Sequence, residues 1–235
     1  MKAVSLVGPK NSGKTTLGLK LARELTAMGL RVAAAKFSHH DLTWPDTDTA
    51  QYAGVCVAVA GLGPDESFVH WTRKRALVDL LPLLRADVLL VEGGKSLGWL
   101  PRILCLPQAD DPDAAWLRPD LALASTGPGR AHGVPRQDSP AALAATVCER
   151  GFLLPGLDCQ ACGRPDCRTL AGQIVRGEAS PEACAALHNA LAVDIDGVPL
   201  AMKPFVENLL SAAIREMLRS LKGAAPGTAT IRLRV

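Results

Sequence analysis

The feature that most constrains the fold is the octapeptide GPKNSGKT at residues 8–15, which matches the pattern G-x-x-x-x-G-K-[ST] at every fixed position. An apolar run from Ala3 to Val7 precedes it as a predicted buried strand, and the leucine spacing after Thr15 predicts a helix as far as Met28. In such a setting, backbone N–H groups of the loop and the positive end of the helix bind phosphate oxygens. The octapeptide therefore predicts a site for a nucleoside triphosphate with Mg²⁺.

The residues of this site have separate predicted roles. Lys14 reaches the terminal phosphates, and the Thr15 hydroxyl binds Mg²⁺. Glu92 ends a second apolar strand at 88–91 and is predicted to serve the Mg²⁺ shell, the alternative being an ordinary strand-terminal carboxylate. Gly93 lets the next stretch of backbone approach the γ-phosphate. The predicted nucleotide contacts are Gly8, Lys10, Asn11, Ser12, Gly13, Lys14, Thr15, Thr16 and Gly93, with Lys14 and Glu92 as the catalytic candidates.

The sequence limits what can be said about the base and about turnover. The guanine-reading motif N/T-K-x-D does not occur in it, so the residues leave GTP and ATP open. No residue stands out as an activator of the attacking water, and we expect at most a slow nucleoside triphosphatase.

Residues 1–151 alternate strand-like and helix-like segments, which predicts an α/β domain with a mostly parallel sheet flanked by helices. The predicted strands are 3–7, 31–36, 55–60, 66–71, 88–91, 102–106 and 121–125, and the predicted helices are 15–28, 73–84 and one from Pro140 that closes at Gly151. Residues 152–157 are predicted to be a linker. Residues 158–235 are predicted to form a smaller α+β module with a hairpin around 196–197, a helix at 204–222 and a terminal strand at 231–235.

Composition excludes several classes of protein. The net charge is only +3 and aromatic residues make up 4% of the chain, which argues against a nucleic-acid partner. No apolar run reaches the roughly 20 residues of a membrane helix. No targeting segment is recognisable at the N-terminus, so we expect a cytoplasmic protein whose thiols stay reduced.

Four of the seven cysteines fall within one short segment with the spacing C-x2-C-x4-C-x16-C, namely Cys159, Cys162, Cys167 and Cys184. Four thiolates suit a tetrahedral zinc ion or a [4Fe-4S] cluster, and the missing second C-x2-C knuckle argues against a zinc ribbon. Cys167 is predicted to open a helix that ends at Gly177, and Cys184 to lie in the first turn of a helix after Ser180. Cys56, Cys105 and Cys148 are interpreted as small buried hydrophobic residues.

A polar stretch follows the second predicted strand, at the sheet edge where ligands of open α/β folds bind. It contains His39, His40, Asp41 and Asp48, which are candidates for the functional surface. Solvated histidines and a helix-capping Asp48 are equally open interpretations.

The segments GPKNSGKTTL, AKFSHHD, the following DT and LLVEGGK together resemble the MobB family of P-loop adaptor proteins in molybdopterin-guanine dinucleotide biosynthesis. The resemblance covers residues 1 to about 150. It implies GTP binding with weak hydrolysis, a homodimer, and partnership with the guanylyltransferase or a client molybdenum or tungsten enzyme. It also implies that Lys14, Thr15 and Glu92 serve phosphate and Mg²⁺. Thr126 departs from the family's usual Asp, which weakens the implied preference for guanine.

The run from Asp158 to Cys184 resembles the four-cysteine iron–sulfur domains of Rnf-type complexes and corrinoid iron–sulfur proteins. The resemblance includes all four cysteines and also Gly163, Ala171, Gly177 and Glu178. The resemblance implies a [4Fe-4S] cluster on the four thiolates and an oxygen-sensitive protein.

The leading hypothesis is a GTP-binding adaptor for molybdenum or tungsten cofactor maturation that carries a [4Fe-4S] cluster. The alternative is a P-loop ATPase or GTPase metallochaperone, which would couple hydrolysis to insertion of a metal or cluster into an anaerobic metalloenzyme. A small-molecule kinase, with His40 or Asp41 near the acceptor, ranks third.

Overall fold

The computed structural model describes residues 1–38, 48–108, 114–187, 191, 193–195, 198–200, 202–222, 229 and 231. The strands are β1 (Lys2–Val7), β2 (Val32–Lys36), β3 (Ala58–Leu62), β4 (Ser67–Trp71), β5 (Val88–Glu92), β6 (Arg102–Cys105), β7 (Ala122–Thr126), β8 (Asp194–Ile195) and β9 (Val198–Pro199). The α-helices are α1 (Lys14–Ala27), α2 (Asp48–Ala53), α3 (Leu77–Leu80), α4 (Pro140–Arg150), α5 (Cys167–Arg176) and α6 (Pro204–Arg219).

Five of the strands form one parallel sheet in the order β2-β5-β1-β6-β7. Parallel strands all point the same way, so their carboxyl ends share one edge of the sheet. The octapeptide leaves β1 at this edge, and Lys36, Glu92 and Thr126 end β2, β5 and β7 there. The predicted fold class, a mostly parallel sheet flanked by helices, is confirmed.

Helices α1 and α4 cover one face of the sheet. Leu21 and Leu25 of α1 and Val147 of α4 are fully buried in one hydrophobic cluster with Val4 and Leu6 of β1. Ser139 caps α4, its hydroxyl accepting a hydrogen bond from the N–H of Ala142, as expected for a Ser-Pro helix start.

The cysteine segment covers part of the opposite face. Leu123 and Ala124 are adjacent in β7 and therefore point to opposite faces, Ala124 toward α4 and Leu123 toward α5. Leu123 shares a cluster with buried residues of the C-terminal part: Phe152, Leu154, Cys167, Leu170, Ala171, Val175, Cys184 and Ala186. Residues of the predicted linker thus lie in a core common to the sheet and the cysteine segment.

Several predicted elements differ from the structure. The helix predicted over 73–84 is limited to α3 and a 3₁₀ turn at Leu81–Leu83, because Pro82 lacks the N–H and restricts the residue before it. Cys184 follows a 3₁₀ turn at Pro181–Ala183 and does not lie in the first turn of an α-helix. Cys56 is exposed, whereas Cys105 is buried as predicted.

The predicted C-terminal hairpin is present as the antiparallel pair β8–β9, although its turn residues 196–197 lie outside the described residues. The long helix ends at Arg219, three residues earlier than predicted. The predicted terminal strand lies outside the described residues except for Ile231. Among the helices that the structure describes, none combines the length and apolar character needed to cross a membrane.

The shared core predicts that Leu154→Ala destabilises the whole chain. Leu154 is 0% exposed, so its truncation should lower the free energy of unfolding by about 2–5 kcal/mol. Urea unfolding followed by circular dichroism should remain a single transition shifted to lower urea. Leu83→Ala is the matched control, since Leu83 is 54% exposed and its loss should cost less than about 0.5 kcal/mol. A second transition confined to the C-terminal part would contradict the shared core.

Candidate functional site

The octapeptide forms a tight loop against the end of β6. A Cβ atom at Gly8 would lie 2.3 Å from the carbonyl oxygen of Cys105, so only glycine fits where the loop crosses β6. Asn11 and Gly13 adopt positive φ angles of 61° and 79°, and α1 begins at the next residue, Lys14. The loop therefore directs backbone N–H groups and the start of a 14-residue helix to one point.

The Lys14 side chain bends back over this loop. Its ammonium donates a hydrogen bond to the carbonyl oxygen of Pro9 and another, of 3.2 Å, to the Ser12 hydroxyl. Both partners are neutral, so the positive charge stays available for an anion. Lys10, Asn11 and Thr16 are exposed around the same loop.

Thr15 and Glu92, both predicted to serve Mg²⁺, meet across the sheet edge. The Thr15 hydroxyl donates a 2.9 Å hydrogen bond to Glu92 Oε1, and the Lys36 ammonium lies 3.0 Å from the same oxygen. Hydroxyl and carboxylate oxygens are the ligands that Mg²⁺ prefers. The donor set of Thr15 and Glu92 therefore fits Mg²⁺.

The chain turns sharply after Glu92. Gly93 and Gly94 have φ angles of 85° and 68°, which side chains rarely tolerate. The Gly93 N–H donates a 2.9 Å hydrogen bond to the Leu6 carbonyl near the end of β1. This bond holds the loop after β5 beside the phosphate loop, which is the octapeptide at residues 8–15.

Two lysines at this edge were not predicted as site residues, although both lie in the segments AKFSHHD and LLVEGGK. Lys36 ends β2 and pairs with Glu92. Lys95 lies three residues beyond Glu92, with its ammonium 3.8 Å from the centroid of the Trp116 ring. Burial, and then the nearby charge of Lys14, lower the pKa of Lys95. The available signal was their position, Lys36 as the last residue of one predicted strand and Lys95 four residues after another.

A carboxylate also lies beside Thr126, where the expected Asp is missing. Asp138 Oδ1 accepts hydrogen bonds from the Thr126 hydroxyl at 3.1 Å and from the Gly127 N–H at 3.0 Å. Arg136 pairs with the other oxygen, Oδ2, and its hydrogen bond is the main reason that the pKa of Asp138 is lowered. Asp138 lies 12 residues after Thr126, so no local pattern pointed to it.

The predicted site residues of the polar stretch lie outside the part of the chain that the structure describes, apart from the backbone of Asp48. His39, His40 and Asp41 lie outside the described residues, and so does the side chain of Asp48, whose backbone begins α2. Their roles stay predictions.

The four clustered cysteines converge on the core beneath α5. Cys167 and Cys184 are buried, and Cys159 and Cys162 are half-buried against the same cluster. Burial raises the pKa of Cys184, and the charges of Cys162 and Cys159 raise it further, which indicates that these thiols are close neighbours. Hydrogen bonds from the N–H groups of Ala186 and Leu187 act in the opposite direction. Backbone stabilisation of this thiolate thus comes from the turn after Cys184.

Asp158 links the two ends of the three-cysteine segment. The Cys167 N–H donates a 2.7 Å hydrogen bond to Asp158 Oδ1, and the Asp158 N–H donates one of 3.4 Å to Cys167 Sγ. Asp158 and Gln160, on either side of Cys159, have positive φ angles of 44° and 61°. The backbone here is shaped to turn the Cys159 side chain inward.

An all-thiol set fits a thiophilic metal centre, with zinc or iron as the candidates. Within the described ranges, however, no three His, Cys, Asp or Glu side chains are grouped tightly enough to hold a single metal ion. A tetrahedral zinc ion would need the thiols drawn in to bonds of about 2.3 Å. The structure therefore gives a converging set of thiols and no preformed single-ion site.

The sheet order, the phosphate loop and the Thr15–Glu92 contact define a P-loop nucleotide-binding protein. A family model described as Molybdopterin guanine dinucleotide synthesis protein B matches residues 3–122. The chain belongs to this family, MobB. A second family model, described as an Fe-S cluster, matches residues 154–186 and so includes all four cysteines.

Solved structures of MobB proteins resemble the N-terminal part of the chain. MobB of Bacillus subtilis is 22% identical with a TM-score of 0.53, and the match covers 63% of this chain and 98% of that one. A MobB homolog from Bacillus stearothermophilus is 28% identical with a TM-score of 0.49, covering 64% and 100% respectively. The first of these likenesses supports the fold alone. No curated protein matches the chain.

The buried thiols predict that the metal-free protein loses stability at alkaline pH. Burial raises the pKa of Cys167 from 9.0 to about 11, so the unfolded chain releases this proton first as the pH rises. Stability is then lost between about pH 9 and about pH 11. Thermal unfolding of the metal-free protein should show a falling Tm over this window, and the fall should be smaller in Cys167→Ser. Cys56→Ser, which changes an exposed thiol, should behave as the wild type. An unchanged slope in Cys167→Ser would contradict the assignment.

Proposed function

We propose that the chain is a GTP-binding adaptor of molybdopterin-guanine dinucleotide biosynthesis or maturation that carries a [4Fe-4S] cluster. The observation that carries the proposal is a physical connection between its two sites. The loop that begins at Glu92, beside the phosphate loop, ends against the cysteine segment.

This connecting loop is fixed at both ends. The Arg102 guanidinium is fully buried and donates hydrogen bonds of 2.7 Å to the carbonyl oxygens of Leu97 and Leu117. A Cβ atom at Gly98 would lie 2.9 Å from Cβ of Arg168, which follows Cys167 in α5. The Trp99 carbonyl accepts a 3.0 Å hydrogen bond from the Leu154 N–H. A change at Gly93 and Gly94 would therefore reach α5 through direct contacts.

The nucleotide part of the proposal uses residues that the fold brings together. Lys14 and the loop N–H groups bind phosphates, and Thr15 with Glu92 binds Mg²⁺. Glu92 already accepts a hydrogen bond from Thr15 and pairs with Lys36. It is therefore better placed to bind Mg²⁺ than to activate a water molecule. We therefore infer at most slow hydrolysis. The ionised Asp138 at the end of β7 supports guanine, whose edge offers adjacent N–H donors to a carboxylate.

The cysteine part of the proposal assigns Cys159, Cys162, Cys167 and Cys184 as the ligands. Bound there, the cluster would supply one-electron redox chemistry or a rigid docking surface. Asp158 and the surrounding backbone hold Cys159 and Cys167 in place for it. The match of residues 154–186 to an Fe-S family supports iron over zinc.

The partners follow from the family. We propose the guanylyltransferase that makes the dinucleotide, or a client molybdenum or tungsten enzyme, as the binding partner in the cytoplasm. The β3–β4 hairpin supports a homodimer because it exposes apolar side chains, with Leu62 87% exposed and Val69 51% exposed.

The cluster is tested by anaerobic purification. The wild type should contain about four iron atoms per chain, show the absorption of a [4Fe-4S] centre, and give its EPR signal after reduction with dithionite. Cys184→Ser should lose both, while Cys56→Ser should keep them. A colourless wild type containing zinc would contradict the iron assignment and leave the nucleotide site untouched.

The adaptor role is tested by the affinity of the chain for the guanylyltransferase with GTP, with GDP and without nucleotide. We expect the GTP state to differ from the others by about 5- to 150-fold, the usual range for such coupling. Lys14→Ala should abolish the difference because the nucleotide no longer binds. Equal affinities in all three states would reject the adaptor role. Hydrolysis that rises strongly with client or metal would favour the metallochaperone instead.

A further inference from the structure

Lys95 is a cation at the sheet edge to which the proposed nucleotide site has so far given no role. Its side chain is half-buried, and its ammonium lies over the Trp116 ring at 3.8 Å from the centroid. Over the part of the chain that the structure describes, no carboxylate forms an ion pair with it. A ring face holds a cation more weakly than an anionic partner does. The ammonium is therefore held in a position it can leave.

The backbone of Lys95 is fixed although its ammonium is only weakly held. The Leu97 N–H donates a 2.9 Å hydrogen bond to the Gly94 carbonyl, which closes a turn with Lys95 and Ser96 at its centre. The buried Arg102 guanidinium lies 3.4 Å from the Lys95 carbonyl oxygen and 2.7 Å from that of Leu97. Motion of Lys95 is then confined to its side chain.

The backbone path places Lys95 near the loop that carries Lys14. Gly93, two residues before Lys95, is hydrogen-bonded to the end of β1, from which the phosphate loop leaves. The charge of Lys14 contributes to the lowered pKa of Lys95, which is consistent with this closeness. The partners of Lys14 are the Pro9 carbonyl and the Ser12 hydroxyl, both neutral. An anion between the two ammonium groups would relieve their repulsion.

The position of Lys95 selects one end of that anion. Lys95 belongs to the loop that starts at Glu92, on the side of the site where Thr15 and Glu92 meet. Lys14 instead stands at the start of α1, above the phosphate loop. A phosphate chain held by the loop and by Thr15–Glu92 would present its terminal group to the loop carrying Lys95.

We propose that Lys95 is a second phosphate-binding lysine, specific for the terminal phosphate of a nucleoside triphosphate. With a triphosphate bound, its ammonium leaves the Trp116 ring and donates to the γ-phosphate oxygens. With a diphosphate, it stays on the ring. Trp116 immediately precedes Leu117, whose carbonyl Arg102 binds, so the exchange occurs beside the loop that contacts the cysteine segment. This inference rests on the nucleotide site proposed above.

The test compares Lys95→Met with Lys20→Met, which removes an exposed lysine from α1. Titration calorimetry would use the non-hydrolysable imido analogue of GTP, and GDP, both with Mg²⁺. Loss of one charge-assisted contact should weaken binding of the analogue by about tenfold or more in Lys95→Met and change GDP binding by less than about twofold. Lys20→Met should bind both as the wild type does. Equal loss for both nucleotides, or no loss, overturns the proposal.

Trp116 provides a second readout. Its fluorescence, taken as the difference between wild type and Trp116→Phe, should change when the analogue binds and stay constant with GDP. Lys95→Arg should discriminate as the wild type does because it keeps the charge, and the Trp116 fluorescence of the wild type decides the matter if Lys95→Met does not fold. Failure of Lys95→Arg to discriminate better than Lys95→Met, or of Trp116 to respond, overturns the proposal. A wild type that binds neither nucleotide overturns the nucleotide site itself, whereas a wild type that binds both, with unchanged discrimination in Lys95→Met, overturns this inference alone.

Discussion

The hydrogen bond between Thr15 and Glu92 is the contact on which the rest of the molecule depends. It is 2.9 Å long and joins the first turn of α1 to the end of β5. It can form because β5 and β1 are neighbours in a parallel sheet, which brings residues 77 positions apart to one edge. The phosphate loop, the predicted Mg²⁺ ligands and the glycines after Glu92 are all placed by this pairing.

The second organising feature is the way in which the cysteine segment completes the fold. A parallel sheet must be covered on both faces. Here α1 and α4 cover one face, and Phe152, Leu154 and α5 cover part of the other. The four cysteines therefore lie on the sheet face opposite α1 and α4. The buried Arg102, whose pKa burial lowers to about 10, ties the loop between the two sites by donating to backbone carbonyls.

Local patterns predicted much of this arrangement correctly. The strand, loop and helix around Lys14, the N-cap of α4 and the helix at Cys167 each depend on residues close together in the chain. The helix predicted over 73–84 was wrong in length because the local effect of Pro82, which ends a helix, was not applied. In α6 the buried residues are Glu207 and Ser211, while Phe205 is 76% exposed. Hydrophobic periodicity defines the faces of a helix, but it does not show which face packs against a neighbouring element.

The octapeptide and the cysteine spacing thus predicted two chemistries by themselves, because the patterns for phosphate binding and thiol ligation both lie within short segments. The tertiary structure decided which distant groups join them. It paired Lys36 with Glu92, set the Lys95 ammonium over the Trp116 ring and placed Asp138 beside Thr126. It also set the cysteine segment against the sheet. Those partners come from separate strands and loops, and only the order of strands in the sheet puts them at one edge.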